Sequence, residues 1–430
     1  MEKVAEFINA KSFRHALARL CRLAGSSTSD GRRVLDDWEN QYKEGDMMLM
    51  DAIDRIESID NRESLITSEE VETDPLLWLQ ALDNFCVRIN PKSYGYLRNP
   101  RIDDGEGQVW MLPIYQQAES CGGGKRRQFG NIAYWLKHCR VVPQNNPQGI
   151  LVNVAGIPRG YHDWLAGRFS ARTIRIAVVH FDDGVRTNLS DSDKKPSNFI
   201  CKDISDTETR LASALHHISE AKKRDAHILV MPELTITPDI RSRIVSELQQ
   251  LHRKNGEKHS LSVPLIVLGS FHEQVEKGWR NHAEAMLGLD GKLLFGCDKR
   301  KPVTFENRKE GIECAPNDFT CVFTPLGLMA LAICKDVFEG EPAIVLASLP
   351  LDWLLVPSMT DKLNPHKATA KAMYDTLGTI VVVANQESPS ASTPVRGFVQ
   401  HQKYKECTEA LEIVSVNREE FDDFTLFNLS

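Results

Sequence analysis

The spacing of apolar residues changes near residue 170. Before that point, apolar residues recur at roughly helical intervals in residues 3–23 and again in residues 47–59. From residue 171 the chain consists of short apolar runs rich in β-branched residues, separated by polar segments. The pattern predicts two domains, a mostly helical one over residues 1–170 and an α/β one over residues 171–430.

The second domain is predicted to hold a mixed sheet with helical crossovers. Its apolar runs occupy residues 175–181, 227–233, 264–271, 283–297, 321–334, 353–359, 379–385 and 411–416. Helices with recognisable ends are predicted over residues 206–223, 237–256 and 364–378. Asp290-Gly291, between two apolar stretches, predicts a hairpin. Crossovers and hairpins together require both parallel and antiparallel pairing.

Composition excludes several classes of protein. The 430 residues are 42% hydrophobic and 26% charged, as in ordinary globular proteins, and the net charge of -7 argues against a general nucleic-acid binder. The first 20 residues lack the apolar core of a signal peptide, and no apolar stretch approaches the ~20 residues that span a bilayer. We therefore expect a cytoplasmic protein with no membrane partner.

The cysteines favour neither disulfides nor a metal site. In a reducing compartment the ten cysteines are expected to stay unpaired. No C-x2-C pair occurs, and the adjacent His216 and His217 have no cysteine partners nearby in the sequence. The prediction is a protein without a structural metal.

Three polar residues each follow an apolar strand. Glu233 ends "HILVMPE", Lys299 follows "LLFGCD", and Cys334 ends "LMALAIC". Alone, each has an ordinary interpretation, as a loop carboxylate, a surface charge or a small buried thiol. Together a base, a cation and a thiol are the groups that nucleophilic acyl chemistry requires.

The same segments resemble the nitrilase superfamily of carbon–nitrogen hydrolases over about residues 171–400. The similar motifs are "DAHILVMPEL", "GKLLFGCDK" and "GLMALAICKD", followed in family order by "LDWLLVPSM" and "GTIVVVANQ". The resemblance implies an α/β fold of the nitrilase type, a four-layer α-β-β-α sandwich. It also implies that no cofactor or metal takes part.

The resemblance further implies a role for each matching residue. Glu233 would be the general base, Lys299 the oxyanion stabiliser and Cys334 the nucleophile, while the backbone N–H of Lys335 would complete the oxyanion hole. The implied substrate is a small molecule with an amide, carbamoyl or nitrile group. Relatives commonly form dimers or larger assemblies, so a homo-oligomer is expected.

Several positions depart from the family pattern. Lys301 is a rival for the lysine role, although Lys299 fits the motif better. Relatives often carry a second glutamate eight residues after the lysine, where this chain has Asn307. Glu306 is therefore the candidate orienting acid, and Glu310 and Glu313 are weaker candidates.

Two other functions remain open at the level of sequence. The segment after residue 385 departs from the family signature, and residues 1–170 match no known module. These features favour a nitrilase-like scaffold with a regulatory or assembly role, for instance in bacterial defence, that binds a protein partner through its N-terminal domain. The thioester chemistry would also serve acyl transfer to an amine.

Overall fold

The computed structural model describes most of the chain in two compact units. The described residues are 2–10, 13–24, 47–57, 65–89, 101–103, 108–113, 139–144, 150–171, 173–192, 195–255, 263–305, 307–313, 318–387, 396–402 and 404–417. The first unit contains the described residues up to 113 together with 139–144, and the second contains those from 150 to 417. No helix in these described ranges is long and apolar enough to cross a membrane.

The described part of the first unit contains helices and one small sheet. Its helices are α1 Glu2–Asn9, α2 Phe13–Ala24, α3 Met47–Glu57, α4 Ser68–Thr73 and α5 Pro75–Ile89. Strands β1 Arg101–Asp103, β2 Gln108–Pro113 and β3 Cys139–Pro143 form an antiparallel sheet. Apolar faces of the helices and of β2 share one core. The helices predicted from residues 3–23 and 47–59 are confirmed, whereas the sheet was not predicted.

One large sheet of the second unit carries two of the predicted site residues at its strand ends. Its strands are β5 Thr173–Val179, β8 Ile228–Val230, β9 Leu265–Val275, β10 Gly278–Leu287, β11 Leu293–Asp298 and β20 Leu411–Asn417. Their order is β11-β10-β9-β8-β5-β20, with β5, β8 and β9 parallel. The predicted hairpin at Asp290-Gly291 joins β10 to β11 and is confirmed.

The other large sheet leads to Cys334. Its strands are β4 Leu151–Gly156, β14 Asp318–Thr324, β15 Gly327–Leu331, β16 Trp353–Met359, β17 Ile380–Gln386, β18 Gly397–Gln400 and β19 Lys405–Glu406. Their order is β19-β18-β17-β16-β15-β14-β4. Because β4 pairs in parallel with β14, residues 151–168 group with the second unit, ahead of the predicted boundary at residue 170.

A small sheet and five helices complete the described part of the second unit. The small sheet has the order β12-β13-β7-β6, formed by β6 Thr187–Ser192, β7 Lys195–Ile204, β12 Thr304–Phe305 and β13 Arg308–Glu310. The helices are α6 Arg159–Arg168, α7 Thr207–Lys223, α8 Pro238–Asn255, α9 Gly340–Ser348 and α10 Asn364–Leu377. The helices predicted over residues 206–223, 237–256 and 364–378 are confirmed as α7, α8 and α10.

Alternate residues of the strands enter two different cores. One face of the six-stranded sheet packs against the seven-stranded sheet, as Ile176 and Val230 share a core with Leu331 and Leu355. The opposite face packs against α7 and α8, as Leu229 does against Ile218 in the second core. The second unit is therefore a mixed α/β structure in which strand ends of both sheets can meet.

Gly269 lets two chain segments approach each other beside the candidate site. Its φ is +66°, in the left-handed region, and a Cβ at this position would collide with the carbonyl oxygen of Pro232. Pro232 directly precedes Glu233, so this contact also fixes where the Glu233 backbone lies. Only glycine combines this backbone conformation with this approach.

Replacement of Gly269 by alanine should therefore destabilise the second unit. We expect Gly269→Ala to lower the free energy of unfolding by at least ~2 kcal/mol, measured by urea denaturation, since it adds backbone strain to a collision with backbone. Gly160→Ala is the matched control, because Gly160 lies in a helix with open space around it. An equal effect of both substitutions would contradict this account.

Candidate active site

The three residues predicted to act together are all buried, with Glu233 and Lys299 in hydrogen-bond contact and Cys334 close enough to both for electrostatic interaction. Glu233 follows β8 and Lys299 follows β11, both in the six-stranded sheet, while Cys334 follows β15 of the seven-stranded sheet. Their exposed fractions are 1%, 1% and 3%, respectively. The cluster thus depends on the packing of the two sheets against each other.

The Lys299 ammonium is shared by two carboxylates. It donates to Glu233 Oε1 at 2.7 Å and to Glu310 Oε2 at 2.9 Å. Burial disfavours the charged form, but the two carboxylates outweigh it and raise the pKa of Lys299 well above its usual value. Lys301, the rival in the sequence, instead lies with its side chain against Gly340.

Glu310 is held as an anion by donors on both of its oxygens. Oε1 accepts from His272 Nε2 at 2.9 Å and Asn281 Nδ2 at 3.0 Å, and Oε2 accepts from Lys299 and from the Val303 N–H at 2.9 Å. Burial raises the pKa of Glu310, but Lys299 and His272 outweigh burial and lower it below its usual value. Glu310 is therefore a fixed counter-ion.

Besides Glu233, the acid that contacts Lys299 among the described residues is Glu310, which the sequence ranked among the weaker candidates. Glu306, the first candidate, lies outside the described residues, so its role stays a prediction. The third candidate, Glu313, has its side chain next to Gly278.

The tautomer of His272 follows from its two contacts. Its Nδ1 accepts the N–H of Cys201 at 2.7 Å, so the proton of the neutral ring lies on Nε2 and is donated to Glu310. His272 is completely enclosed, with no exposed side-chain surface. It acts on Lys299 only through Glu310.

Glu233 differs from Glu310 in having one oxygen available. Its Oε1 accepts from Lys299 and from Asn281 Nδ2 at 2.9 Å, whereas Oε2 accepts no hydrogen bond from the described residues. The backbone N–H of Glu233 donates to the Ser358 carbonyl at 3.2 Å. A carboxylate held on one side and open on the other can accept a proton.

Cys334 occupies a strained turn between β15 and a short 3₁₀ helix, Cys334–Val337. Its φ is +47°, a conformation that non-glycine residues rarely adopt and that often marks a functional residue. Burial and the neighbouring Glu233 raise the pKa of the thiol to about 12, although Lys299 and the Ser358 hydroxyl oppose this shift. At neutral pH the sulfur is protonated until a base removes its proton.

Lys335 contributes a backbone N–H beside the sulfur, while its side chain points to another partner. Its Nζ lies 2.9 Å from Glu339 Oε1, one turn further on. Within the described part of the chain, no acceptor takes the Lys335 N–H.

Asp336 ties the lysine segment to the cysteine turn. Its carboxylate accepts the backbone N–H groups of Arg300, at 3.0 Å, and Lys301, at 2.7 Å. Burial raises the pKa of Asp336 to about 7. A cavity of about 220 Å³ reaches Asp336, and Cys334 is not among its lining residues. Within the described residues, no three His, Cys, Asp or Glu side chains converge to hold a metal.

Comparison with known proteins finds similar folds among solved structures but no match by sequence. The sequence matches no protein-family model and no curated protein. Similar solved structures include an amidase from Nesterenkonia sp., with 15% identity over 57% of this chain and 89% of that chain and a TM-score of 0.40. That amidase belongs to the nitrilase superfamily.

Two further solved structures are matched over a smaller share of their own length. The C. elegans NitFhit protein has 20% identity over 57% of this chain and 61% of that chain, with a TM-score of 0.39. A glutamine-dependent NAD+ synthetase from Acinetobacter baumannii has 18% identity over 59% of this chain and 46% of that chain, with a TM-score of 0.40. Likeness at this level carries nothing about chemistry, which must come from the residues of this chain.

The sequence did not identify several residues that hydrogen-bond to the two glutamates or lie next to the site. Asn281 lies within β10 and His272 within β9. A polar residue inside an otherwise apolar strand was the signal in the sequence that could have identified both. Ser358 lies in the Pro-Ser pair that the family resemblance singled out, but no role followed from it. His366, buried in the first turn of α10 with its Nε2 3.4 Å from Ser358 Oγ, carried no signal, because histidine in a helix is common.

Replacing Glu310 tests the fixed counter-ion. We expect Glu310→Gln to lower the free energy of unfolding at pH 7 by about 3–5 kcal/mol, because it leaves Lys299 buried with one partner fewer. Since folding lowers the pKa of Glu310, its contribution is present above the usual value of 4.5 and is lost as the pH falls. The difference between parent and variant should therefore shrink in acid.

Glu208→Gln is the control for this substitution. Glu208 also pairs with a cation, Arg243, but its side chain is exposed. The replacement of Glu208 should leave the free energy of unfolding nearly unchanged both at pH 7 and in acid. Equal destabilisation by the two variants would rule out a special role for the buried carboxylate.

Proposed function

We propose that the second unit is a thiol hydrolase that cleaves a non-peptide C–N bond of a small molecule. The observation that carries the proposal is the shared ammonium. Lys299 joins Glu233, whose Oε2 accepts no hydrogen bond from the described residues, to Glu310, both of whose oxygens accept hydrogen bonds. This arrangement sets a base and a cation beside a strained buried thiol. A four-layer α-β-β-α sandwich, with α7 and α8 on one outer face and α10 on the other, is the architecture that we propose for the unit.

The reaction begins with proton transfer from Cys334 Sγ to Glu233. The thiolate attacks the carbonyl carbon of an amide or carbamoyl group, and the electron pair of the C=O bond moves onto oxygen. The Lys299 ammonium and the Lys335 N–H stabilise this oxyanion. When the C–N bond breaks, Glu233 returns the proton to the leaving nitrogen, so ammonia or an amine departs and a thioester remains.

Hydrolysis of the thioester completes the cycle. Glu233 removes a proton from water as the water attacks the acyl carbon, and the C–S bond breaks to release the acid. The proton on Glu233 then returns to the sulfur. If an amine replaced water, the same steps would give acyl transfer.

The burial of the cluster favours a second candidate, a nitrilase-like scaffold with a regulatory or assembly role. Exposures of 1–3% and a thiol pKa of about 12 are also what an inert buried cysteine would have. The strained φ of Cys334 and the paired charges around it favour the hydrolase, since a scaffold needs neither. The homo-oligomer and a partner surface on the first unit remain predictions from sequence.

A reactivity test separates the two candidates. The protein would be incubated with a panel of small amides, carbamoyl compounds and nitriles, with ammonia release and adducts on Cys334 followed by mass spectrometry. We expect turnover with at least one class, an acyl adduct on Cys334, and loss of turnover by at least ~10³-fold in Cys334→Ala, because the covalent step is then impossible.

Cys321→Ala is the matched control. Cys321 is an equally buried thiol on the neighbouring strand β14, and it should be dispensable for turnover. Undiminished turnover in Cys334→Ala, or alkylation of Cys334 no faster than that of Cys321, would favour the scaffold.

A further inference from the structure

The cation of the proposed mechanism comes from the end of an edge strand. Among the described strands, β10 is the one that pairs with β11, and the last residue of β11, Asp298, directly precedes Lys299. The final pair of this ladder is His282 with Asp298. A strand end that is paired on one side opens more readily than a central strand, so the place of Lys299 depends on what holds this last pair together.

The residues next to this pair belong to the candidate active site. The Lys299 N–H donates to the Asn281 carbonyl at 2.8 Å, which extends the ladder by one residue. Both side chains then reach the same two carboxylates, since Lys299 and Asn281 each donate to Glu233 and to Glu310. The contacts that fix the last ladder pair therefore also fix the two donors that the glutamates share.

The last ladder pair lies within a closed ring of charged side chains. His282 Nδ1 is 2.5 Å from Asp298 Oδ1, and its Nε2 is 3.3 Å from Glu284 Oε1. Six side chains follow one another around the ring, each in contact with the next: His282, Asp298, Arg280, Glu273, Arg241 and Glu284. Three of them are carboxylates and two are guanidinium groups, so the charges balance only when the imidazole is protonated.

The contacts of the imidazole also require a proton on each nitrogen. Both nitrogens of His282 face carboxylate oxygens, and a neutral ring has one N–H, so it would turn a lone pair toward the other oxygen. An imidazolium donates to both. Burial lowers the pKa of His282, but Asp298 and Glu284 outweigh burial and raise it above its usual value of 6.5.

Gly296 in β11 leaves the space that the imidazole occupies. A Cβ at Gly296 would lie 2.9 Å from Cε1 and 3.0 Å from Nε2 of His282, closer than such atoms normally approach. The ring therefore lies against the backbone of the strand that leads to Lys299.

We propose that His282 is a positioning residue for Lys299: as an imidazolium it holds Asp298, and Asp298 fixes the backbone that carries the ammonium. The inference rests on the proposed function, in which Lys299 stabilises the oxyanion, and adds a pH dependence to it. Because folding raises the pKa of His282, the support is complete below pH 6.5 and is lost as the pH rises through the raised value.

The test is hydrogen–deuterium exchange of the full chain, followed by mass spectrometry in a peptide that covers β11 and Lys299. His282→Gln keeps an N–H but cannot carry a charge. At pH 6 we expect this peptide to exchange ~10-fold faster in the variant than in the parent, the effect of losing one hydrogen bond between charged groups. By pH 9 the ratio of the two rates should approach one, because the parental imidazole is then neutral.

Comparison at equal pH separates His282 from its charged neighbours. Arg280 opposes the raised pKa of His282, and Arg300, Asp318 and Asp336 line the same cavity. Burial raises the pKa of Asp336 to about 7, so Asp336 also titrates in this range. Its ionisation strengthens the contact with the Arg300 N–H and slows exchange as the pH rises, which is the opposite sign, and it occurs equally in both proteins.

Asp182→Asn is the matched control. It removes the carboxylate that lies 3.1 Å from Nε2 of another buried histidine, His180, which follows β5 of the same sheet. It should leave exchange of the β11 peptide at the parental rate at both pH values. A peptide that covers β17 should exchange equally in all the proteins, and faster exchange there in His282→Gln would overturn a positioning role by showing general destabilisation.

The outcomes separate this inference from the proposed function. A ratio of one at pH 6 overturns the positioning role, and an equal ratio at pH 6 and pH 9 overturns the imidazolium. If His282→Gln does not fold, Asp298→Asn removes the other half of the contact and is read by the same criteria. Exchange needs neither a substrate nor a reactive thiol, so a ratio that depends on pH without any turnover would count against the hydrolase alone.

Discussion

The structure of the site depends on one buried ammonium. Lys299 carries a charge in the interior of the second unit, where an unpaired charge would be strongly destabilising. Glu233 and Glu310 compensate for it from separate elements, the end of β8 and the end of β13. The ion pairs therefore hold together the six-stranded sheet, the small sheet and the segment after β11, and any change in that packing alters the electrostatics of the thiol.

Glu233 and Glu310 are chemically identical residues, but the hydrogen-bond donors around them give them different properties. Burial keeps the thiol of Cys334 protonated at rest, and the charge of Glu233 adds to this effect while Lys299 opposes it. Glu310 has four donors and cannot gain a proton without losing several of them, whereas Glu233 has a free oxygen. The number of donors around each carboxylate, not its identity, separates counter-ion from base.

The sequence predicted the strands and the three residues at their ends because these depend on local patterns. Periodicity, caps and the Asp290-Gly291 turn are readable within a few residues, and a polar residue after an apolar strand marks the edge of a sheet. The contact of Glu310 with Lys299 could not be read from local patterns, because its position depends on β12 and β13 folding back and pairing with β7, more than a hundred residues earlier. For the same reason β4 was missed, since its partner β14 is far away in the chain.

The proposed nucleophile and the proposed base come from different sheets, so their approach to each other depends on how the two sheets pack. Cys334 ends a strand of the seven-stranded sheet and Glu233 a strand of the six-stranded one, so their approach is set by the apolar core between the sheets. A tightly packed core resists small displacements, which keeps the thiol, the base and the cation in register. It also buries the thiol and makes its thiolate costly, so the Lys299 cation, which opposes that cost, matters more here than it would at an exposed cysteine. The burial that assembles the site thus creates the need for a cation close to its sulfur.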